Sequence, residues 1–418
     1  MNYRRLKQKM ESEYNGRVNN LEKHLGESLR KRRLELKLTQ SDASAGICSV
    51  SYLSKVENSK MLPNRLFIRE MSKRMGMDLD AFIKSSTDTE ILDEGIKAYY
   101  HREVGTLSRL KDNVKAASHP TLQSVFALML AHLKGEKDEC DSLISTLMPV
   151  FTGRNLRAST VVVIVAIIHA FEQRTYRHAF SLLRTLEGCE EALKPRLKAL
   201  KHMYAFLIKQ KTGCLTSSIS DYEQAVRLMS DYPSPHHLLT IQLYRIHQMT
   251  FENSKDAMKA FLNISMEMIP DTHINMYRAL QLKMIPEIAL KQPEGFISCL
   301  NHERRDTWFY RALASLSHLA PSAQLKAKLA PHFEDVRRPH LPEKMYFEGA
   351  FIEKGEAEHD FLKNVCLPII MRCEEYEYID HFTRRLSDLS MEQSRYKEAM
   401  SILRRRHRLL SSLSQVHA

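Results

Sequence analysis

The first residues whose types suggest chemistry lie on one short predicted helix. Its apolar positions are Val50, Leu53 and Val56. Ser51 and Lys55 lie on the face opposite Leu53 and Val56, so both side chains point outward. A lysine ammonium can donate to guanine O6 and N7, a serine can pair with several base edges, and Val50 can contact a thymine methyl. These side chains predict a surface that reads DNA, with an ordinary solvent-facing surface of a helical adaptor domain as the alternative.

A second set of candidate residues recurs at a fixed interval. The pairs Tyr244-Arg245, Tyr277-Arg278 and Tyr310-Arg311 follow one another every 33 residues. A guanidinium offers five donors to the carbonyls or carboxylates of a peptide, and an amide three residues earlier shares its helix face. The predicted peptide-binding residues are Gln242, Arg245, Asn275, Arg278 and Arg311. The alternative is that the tyrosines pack between repeats and that the arginines pair with acids of their own scaffold.

No enzyme motif stands out in the sequence. It has no GxxxxGK[ST] phosphate loop, no GxGxxG, no GxSxG and no HExxH. The pair His236-His237 follows Pro235 in a predicted loop, where we expect no metal, and the seven scattered cysteines form no CxxC pair. We therefore expect a protein that is not an enzyme, that uses no cofactor or metal and that keeps its thiols reduced.

The composition favours helices and a basic N-terminal segment. Glycine (13) and proline (14) are scarce among 418 residues, and a sheet-rich fold needs more turn residues than these. Residues 1–84 hold +8 of the formal net charge of +12, from 18 basic and 10 acidic side chains. Such a concentration of positive charge is typical of a nucleic-acid-binding module.

Neither a secretory signal nor a membrane span is expected. The N-terminal residues MNYRRLKQKM are polar, and the most apolar stretch, Val161–Ile168, has eight residues. A bilayer-spanning helix needs about 20, so this stretch predicts a buried helix. We predict a cytoplasmic protein that does not enter the membrane.

The basic N-terminal segment divides into five short predicted helices. The first places Leu29 and Leu36 toward the core and the basic cluster of residues 30–33 on the other face. Ser49 is a good N-cap for the third helix, and Gly46 can adopt the left-handed conformation that turns the chain before it. The five helices are predicted at Glu27–Leu36, Gln40–Ala45, Val50–Glu57, Arg65–Met75 and Leu79–Ile83.

This segment resembles a known family of DNA-binding domains. The run LGESLRKRRLELKLTQ…GICSVSYLSKVENSK…P is similar to the Xre/Cro-type helix-turn-helix domain of bacterial and phage repressors. By register, the resemblance implies base reading by the third helix and contacts with the DNA backbone on either side of it. The predicted DNA-binding residues are Val50, Ser51 and Lys55 for bases, Gln40, Asn58 and Lys60 for the backbone, and the cap Ser49. Ala43-Ser44 replace the usual Leu-Ala, which predicts looser packing of the second helix.

The rest of the chain predicts helix after helix with short loops. The pattern Tyr-x2-Ala-x3-apolar begins at Tyr176, Tyr222 and Tyr396 and resembles the second helix of a tetratricopeptide repeat, whose period is about 34 residues. The repeat's tryptophan is not kept. The predicted fold class is all-α, with an N-terminal five-helix helix-turn-helix domain followed by a tetratricopeptide-like α-solenoid. The predicted segments are an N-terminal helical extension (1–25), the helix-turn-helix domain (26–84), a linker (85–88) and the repeat domain (89–418).

This order of domains resembles the RRNPP group of peptide-pheromone receptors of Gram-positive bacteria and their phages. The resemblance implies a cytoplasmic, usually dimeric transcription regulator of the quorum-sensing type, which binds double-stranded DNA and a short signalling peptide. One alternative is a DNA-binding regulator whose repeats bind a protein partner. Another is an adaptor that sequesters a second regulator.

The C-terminal helices supply a candidate dimer interface. Between Tyr378 and Leu413, an apolar stripe of four side chains could meet a second copy of the chain. The alternative is that the stripe packs on the next helix of the same chain. Its members are Ile379, Phe382, Leu386 and Leu389.

Overall fold

Helices form all the regular secondary structure in the part of the chain that the structure describes. The prediction of an all-α fold is confirmed for these residues, and none of their helices is long and apolar enough to cross a bilayer. The computed structural model describes residues 29–58, 60–61, 65–76, 87–116, 120–150, 156–187, 190, 193–250, 255–291, 295, 297–298, 305–334, 336 and 340–414.

The helices are numbered in chain order. They are α1 (29–35), α2 (Gln40–Ser44), α3 (Val50–Glu57), α4 (Arg65–Met75), α5 (Thr87–Tyr100), α6 (Val104–Ala116), α7 (Pro120–Lys134), α8 (Lys137–Val150), α9 (Leu156–Glu172), α10 (Tyr176–Thr185), α11 (Pro195–Lys211), α12 (Leu215–Asp231), α13 (Pro235–Met249), α14 (Lys255–Leu262), α15 (Ile274–Met284), α16 (Pro286–Lys291), α17 (Thr307–Leu319), α18 (Ala323–Leu329), α19 (Leu341–Gly349), α20 (Glu356–Phe361), α21 (Leu367–Ile370), α22 (Tyr376–Glu392) and α23 (Tyr396–Ser414). A π-helical turn, Leu362–Cys366, joins α20 to α21.

The first four helices share a small apolar core. Leu29 of α1, Leu53 of α3 and Met71 of α4 are fully buried in it. The predicted bounds of α3 and α4 are confirmed, and α2 ends one residue earlier than predicted. Leu36 is 39% exposed, so its predicted core position is wrong, because α1 ends at residue 35 and Leu36 lies in the turn that follows. The predicted N-terminal extension and the predicted fifth helix lie outside the described residues.

Caps and one glycine fix the start of α2 and of α3. The Thr39 hydroxyl accepts a hydrogen bond from the backbone N–H of Asp42 at 3.1 Å, and the Asp42 carboxylate accepts one from the N–H of Thr39 at 3.0 Å. The Ser49 hydroxyl accepts the N–H of Tyr52 at 3.2 Å. Gly46 has φ of +73°, which a side chain would strain. The predicted left-handed turn and the predicted cap are therefore confirmed.

The chain divides into two compact units. The first unit comprises the described residues up to Ala166 together with Leu182–Leu197, and the second comprises Ile167–Ser181 together with the described residues from Lys198 onward. Helical repeats follow the helix-turn-helix helices, as predicted. Residues 85–86 of the predicted linker lie outside the described residues, and α5 begins at Thr87. The predicted domain boundaries stay predictions.

The repeat pattern of the sequence corresponds to close helix packing. The small residues of the pattern are all buried; they are Ala179, Ala225 and Ala399. A methyl side chain lets a neighbouring helix approach closely, and that helix then covers the alanine. The first tyrosine of the pattern, Tyr176, is buried as well, whereas Tyr396 on the last described helix is exposed. The predicted loop around His236-His237 is wrong, since α13 begins at Pro235 and both histidines lie in its first turn.

The apolar stripe on α22 is buried within its own chain. All four members of the stripe pack in one core with Met345 of α19 and with Ile402 and Leu413 of α23. These side chains cannot meet a second copy. The predicted dimer interface is therefore wrong at this stripe, and the alternative, packing on a neighbouring helix, is correct.

Candidate functional site

Helix α3 presents the predicted base-reading residues to solvent. Ser51 and Lys55 are exposed, and Val50 at the N-terminus is 44% exposed. The opposite face is held in the core by Leu53 and Val56. The first turn of α3 carries no acidic side chain, so the positive end of the helix dipole is not neutralised there. This end of α3 can approach an anion or the electronegative atoms of a base edge.

The predicted backbone-contacting residues lie on both sides of this face. Asn58 follows the last residue of α3, is exposed, and donates to the carbonyl of Ser54 at 2.8 Å. Lys60 is exposed, and so is the cap Ser49. Gln40 is half-buried at the start of α2, where its side-chain amide donates to Glu57 at 2.8 Å. Six of the seven predicted DNA-binding residues are thus exposed, and the seventh is partly engaged inside the domain.

A buried ion pair ties α3 to α1. Arg33 donates from Nε and Nη2 to the two carboxylate oxygens of Glu57 at 2.6 Å and 2.9 Å, and from Nη1 to the carbonyl of Leu38 at 2.8 Å. The hydrogen bond to Glu57 raises the pKa of Arg33. The placement of Arg33 with the outward basic cluster is therefore wrong. A glutamate beside the buried Val56 on a short amphipathic helix was the sequence signal for a buried cationic partner.

The tyrosines of the 33-residue ladder pack inside the second unit. Tyr244 accepts a hydrogen bond from the indole N–H of Trp308 at 3.4 Å, and the two rings meet edge to face at 5.5 Å. Tyr277 stacks on Phe261 with 4.7 Å between ring centroids. Tyr310 is also buried. For the tyrosines, this geometry agrees with the packing alternative.

The ladder arginines do not share one environment. Arg245 donates to Gln248 at 2.9 Å, and Arg278 donates to Gln281 at 3.3 Å, so each bonds a glutamine three residues on. Both are half-buried, Gln242 is exposed and Asn275 is buried. Arg311 is only 7% exposed and contacts carboxylates instead. Of the five predicted peptide-binding residues, Arg311 alone lines the cavity of about 340 Å³ described below.

Arg311 belongs to a cluster of charges that we call the buried charge cluster. The guanidinium of Arg311 meets Glu343 at 3.4 Å and Glu377 at 3.3 Å, and it also contacts Glu375. Lys211 lies 3.0 Å from Glu377 and 3.5 Å from Glu375. The members are Arg174, Lys211 and Arg311 with Glu343, Glu375 and Glu377.

Burial and pairing displace the pKa values in this cluster. Burial alone would raise the pKa of Glu343, but Arg174, which donates to it at 2.9 Å and 3.0 Å, lowers that pKa to about 2. Burial lowers the pKa of Lys211 to about 7. Burial also lowers the pKa of His247 to about 3, so this imidazole is neutral at pH 7 although it lies 3.1 Å from Glu377. The sequence patterns did not reveal this cluster, because its members come from four helices and two connecting segments.

A cavity of about 340 Å³ opens beside the cluster, a size at the lower end of small-ligand sites. Trp308, the single tryptophan of the chain, lines it. The remaining lining residues are aliphatic, aromatic or basic, apart from Ser315 and Glu377; they are His247, Ala279, Leu282, Lys283, Pro286, Arg311, His318, Leu319, Tyr346, Tyr378 and His381. A second cavity of about 540 Å³ shares His247, Glu377 and His381 with it.

One group of side chains has the composition of a metal site. Glu356, His359 and Asp360 offer ligand atoms within 4.8 Å of one another. Arg395 already bonds two members of this group, since it donates to Glu356 at 2.5 Å and to Nδ1 of His359 at 3.1 Å. A guanidinium supplies the positive charge there, so the geometry favours an ion-pair group over a metal centre.

Comparisons with known proteins identify the N-terminal domain. Residues 29–82 match the helix-turn-helix family, which confirms the predicted helix-turn-helix domain. No curated protein matches the chain. A crystal structure of Bacillus thuringiensis PlcR in complex with the peptide PapR7 and DNA is similar over 67% of this chain and 100% of that chain, with 13% sequence identity and a TM-score of 0.38.

Proposed function

We propose that this protein is a cytoplasmic, sequence-specific DNA-binding regulator of transcription whose second unit binds a short signalling peptide that changes its affinity for DNA. The observation that carries the DNA-binding part is the exposed face of α3. In a helix-turn-helix domain this helix enters the major groove with its N-terminal residues against the bases. Val50, Ser51 and Lys55 occupy those positions, and the bidentate pair of Arg33 and Glu57 holds them in place.

The second unit supports the peptide-binding part of the proposal. Its cavity combines apolar walls with guanidinium and ammonium groups, and such a surface suits the mixed chemistry of a peptide. We propose that Gln242, Arg245, Asn275, Arg278 and Arg311 contact the peptide. Arg311 contributes most, because it is the member that lines the cavity.

Substitution of single lysines tests the DNA-binding part. Lys55→Ala should weaken binding of the protein to its own upstream region by about 1–3 kcal/mol while leaving random duplexes less affected, because a base contact is lost. Lys60→Ala should weaken all duplexes alike, because a phosphate contact carries no sequence information. Lys73→Ala, an exposed lysine on α4, is the matched control and should change little. Wild-type affinity that does not fall as salt is added would contradict the proposal.

Calorimetry tests the peptide-binding part. A short peptide encoded beside the gene should bind the wild type, and loss of a charge-assisted hydrogen bond in Arg311→Ala should cost about 1.5–3 kcal/mol. Arg278→Ala should cost less, since Arg278 already bonds Gln281. Because Arg311→Ala also removes a cation from the buried charge cluster and should lower the melting temperature, the titrations are run well below the melting temperature of each variant. If both variants bind the peptide as the wild type does, these arginines belong to the scaffold.

We also propose that the protein acts as a homodimer. One α3 reaches few base pairs, and dimers of this domain class read two half-sites about one helical turn apart. Sedimentation at micromolar concentration, with and without operator DNA, gives the stoichiometry directly. A monomer that occupies one half-site alone would contradict this part of the proposal.

A further inference from the structure

Arg311, which lines the cavity of about 340 Å³, has a hydrogen-bond donor without an acceptor. Its Nη1 is buried and makes no hydrogen bond within the described residues, although Nε and Nη2 both contact carboxylates. The guanidinium also lies 4.9 Å from the ring centroid of Trp308 and 5.4 Å from that of Tyr378. A buried guanidinium donor without an acceptor is costly. An oxygen acceptor from a ligand in the cavity would complete its hydrogen bonding.

The cavity adds a second cation and apolar walls to this donor. Lys283, on α15, lines the same cavity and keeps contact with solvent. Leu282, Pro286 and Leu319 supply aliphatic surface between the charged groups and the aromatic rings. A small apolar side chain attached to an anionic group fits this combination.

The acid in the wall limits the charge of the ligand. Glu377 also lines the cavity, and its carboxylate already meets Lys211, His247 and Arg311. Its repulsion of a ligand grows with the ligand's negative charge, so a singly charged carboxylate suits the cavity better than a doubly charged phosphate. Guanidinium–carboxylate hydrogen bonds are also among the stronger ones in proteins.

We propose that this cavity binds the C-terminal carboxylate of the peptide together with its last, apolar side chain, with Arg311 and Lys283 as the partners of the carboxylate. This inference rests on the proposed peptide binding and deepens it. It makes recognition depend on a free, apolar C-terminus, whatever the preceding sequence of the peptide.

The single tryptophan gives a direct test. N-acetyl-Leu-Phe with a free carboxylate and its C-terminal amide are titrated into the full-length protein while the emission of Trp308 is followed. The free acid should change the emission saturably, and the amide should bind at least about tenfold more weakly, because it cannot form the charge-assisted hydrogen bonds. N-acetyl-Leu-Glu-amide, whose carboxylate lies on a side chain, should also bind more weakly than the free acid.

Substitutions of Arg311 and Lys283 test whether these two cations cause the preference for the free acid over the amide. Arg311→Gln should remove most of the preference for the acid over the amide. Because Arg311 also belongs to the buried charge cluster, Lys283→Gln is the second variant, and it should reduce the preference about threefold to tenfold, as suits an exposed partner. Lys283→Arg keeps the positive charge and should therefore keep the wild-type preference for the acid. Lys291→Gln removes an exposed charge from the neighbouring α16 and should leave it unchanged.

Three results would overturn the assignment. They are equal binding of acid and amide, equal binding of the side-chain carboxylate, and no response of Trp308 to any of the three probes. A peptide that binds the protein without a preference for a free C-terminus would refute this subsite and leave the proposed function standing. A protein that binds no peptide by calorimetry would refute the proposed function itself.

Discussion

The buried pair of Arg33 and Glu57 predicts that the DNA-reading helix depends on one ionic contact. Replacing Glu57 with leucine leaves the Arg33 guanidinium buried without its carboxylate, and replacing Arg33 with methionine leaves the carboxylate without its cation. Removing one partner of a buried pair typically costs about 3–5 kcal/mol. We expect about 3 kcal/mol for each single variant, at the lower end of this range. In Glu57→Leu the Arg33 guanidinium keeps its hydrogen bond to the Leu38 carbonyl, and in Arg33→Met the Glu57 carboxylate keeps the hydrogen bond from Gln40.

The double variant distinguishes the net contribution of the ion pair to stability from the cost of leaving one buried charge unpaired. Arg33→Met with Glu57→Leu leaves no uncompensated charge, and apolar replacements of whole pairs are often neutral. The amide of Gln40 still loses its acceptor in this variant, which costs about 1 kcal/mol. The double variant should therefore be more stable than either single variant. The matched control is Arg32→Met, which loses a surface pair with Glu35 worth about 1 kcal/mol or less. It also loses the hydrogen bond from Arg32 Nε to the Met75 carbonyl at 3.1 Å, worth about 1 kcal/mol.

Amide hydrogen exchange of the full-length protein, monitored by mass spectrometry, measures the local stability of α3. A loss of about 3 kcal/mol should speed exchange of the α3 amides by about two orders of magnitude, and affinity for operator DNA should fall with it. The double variant should recover most of the protection. If Glu57→Leu exchanges no faster than Arg32→Met, the ion pair does not hold α3, and the positioning of Ser51 and Lys55 needs another explanation.

Three further outcomes follow from the geometry. Gly46→Ala should lower stability by about 1 kcal/mol from strain at φ +73° alone, since an added Cβ would meet no atom within 4 Å, and an unchanged melting temperature would contradict this. The pKa of Glu343 is 4.5 in the unfolded chain and about 2 in the folded protein. Its ionised form therefore adds about 3 kcal/mol to the free energy of unfolding above pH 4.5, and this contribution is lost as the pH falls toward 2. Denaturant titrations should show the free energy of unfolding falling over this pH range in the wild type and falling less in Glu343→Gln. Arg385 bonds Glu358 at 2.8 Å and 2.9 Å on a half-exposed surface, so a double-mutant cycle should give about 1 kcal/mol or less.

The N-terminal domain could be predicted closely because local signals determine it. A cap at Ser49, a left-handed glycine at Gly46 and an apolar spacing of three residues between Leu53 and Val56 are all readable within a dozen positions. The turn after α1 was less predictable. Leu36 continued the helical spacing, but the helix ended one residue before it and left the side chain half in solvent.

The second unit could be predicted only as far as its repeats. The alanines of the repeat pattern mark helix crossings because the crossing itself requires a small residue. The partner of each arginine depends on which helix end lies opposite it. That arrangement is set by the packing of the whole unit and cannot be read from the local sequence. Arg245, Arg278 and Arg311 are equivalent in the sequence, yet only Arg311 faces the carboxylates at the start of α22.

The start of α22 explains this difference between equivalent arginines. Glu375 occupies the N-cap position of the helix, without a capping hydrogen bond from its side chain, and Glu377 lies in the first turn, where negative charge is favoured by the helix dipole. Two acids at one helix N-terminus attract cations from α11 and α17, which brings Lys211 and Arg311 to the same place. Buried ion pairs of this kind add little net stability compared with an apolar core. They position a side chain instead, since three carboxylates hold the Arg311 guanidinium against the Trp308 ring at the wall of the cavity.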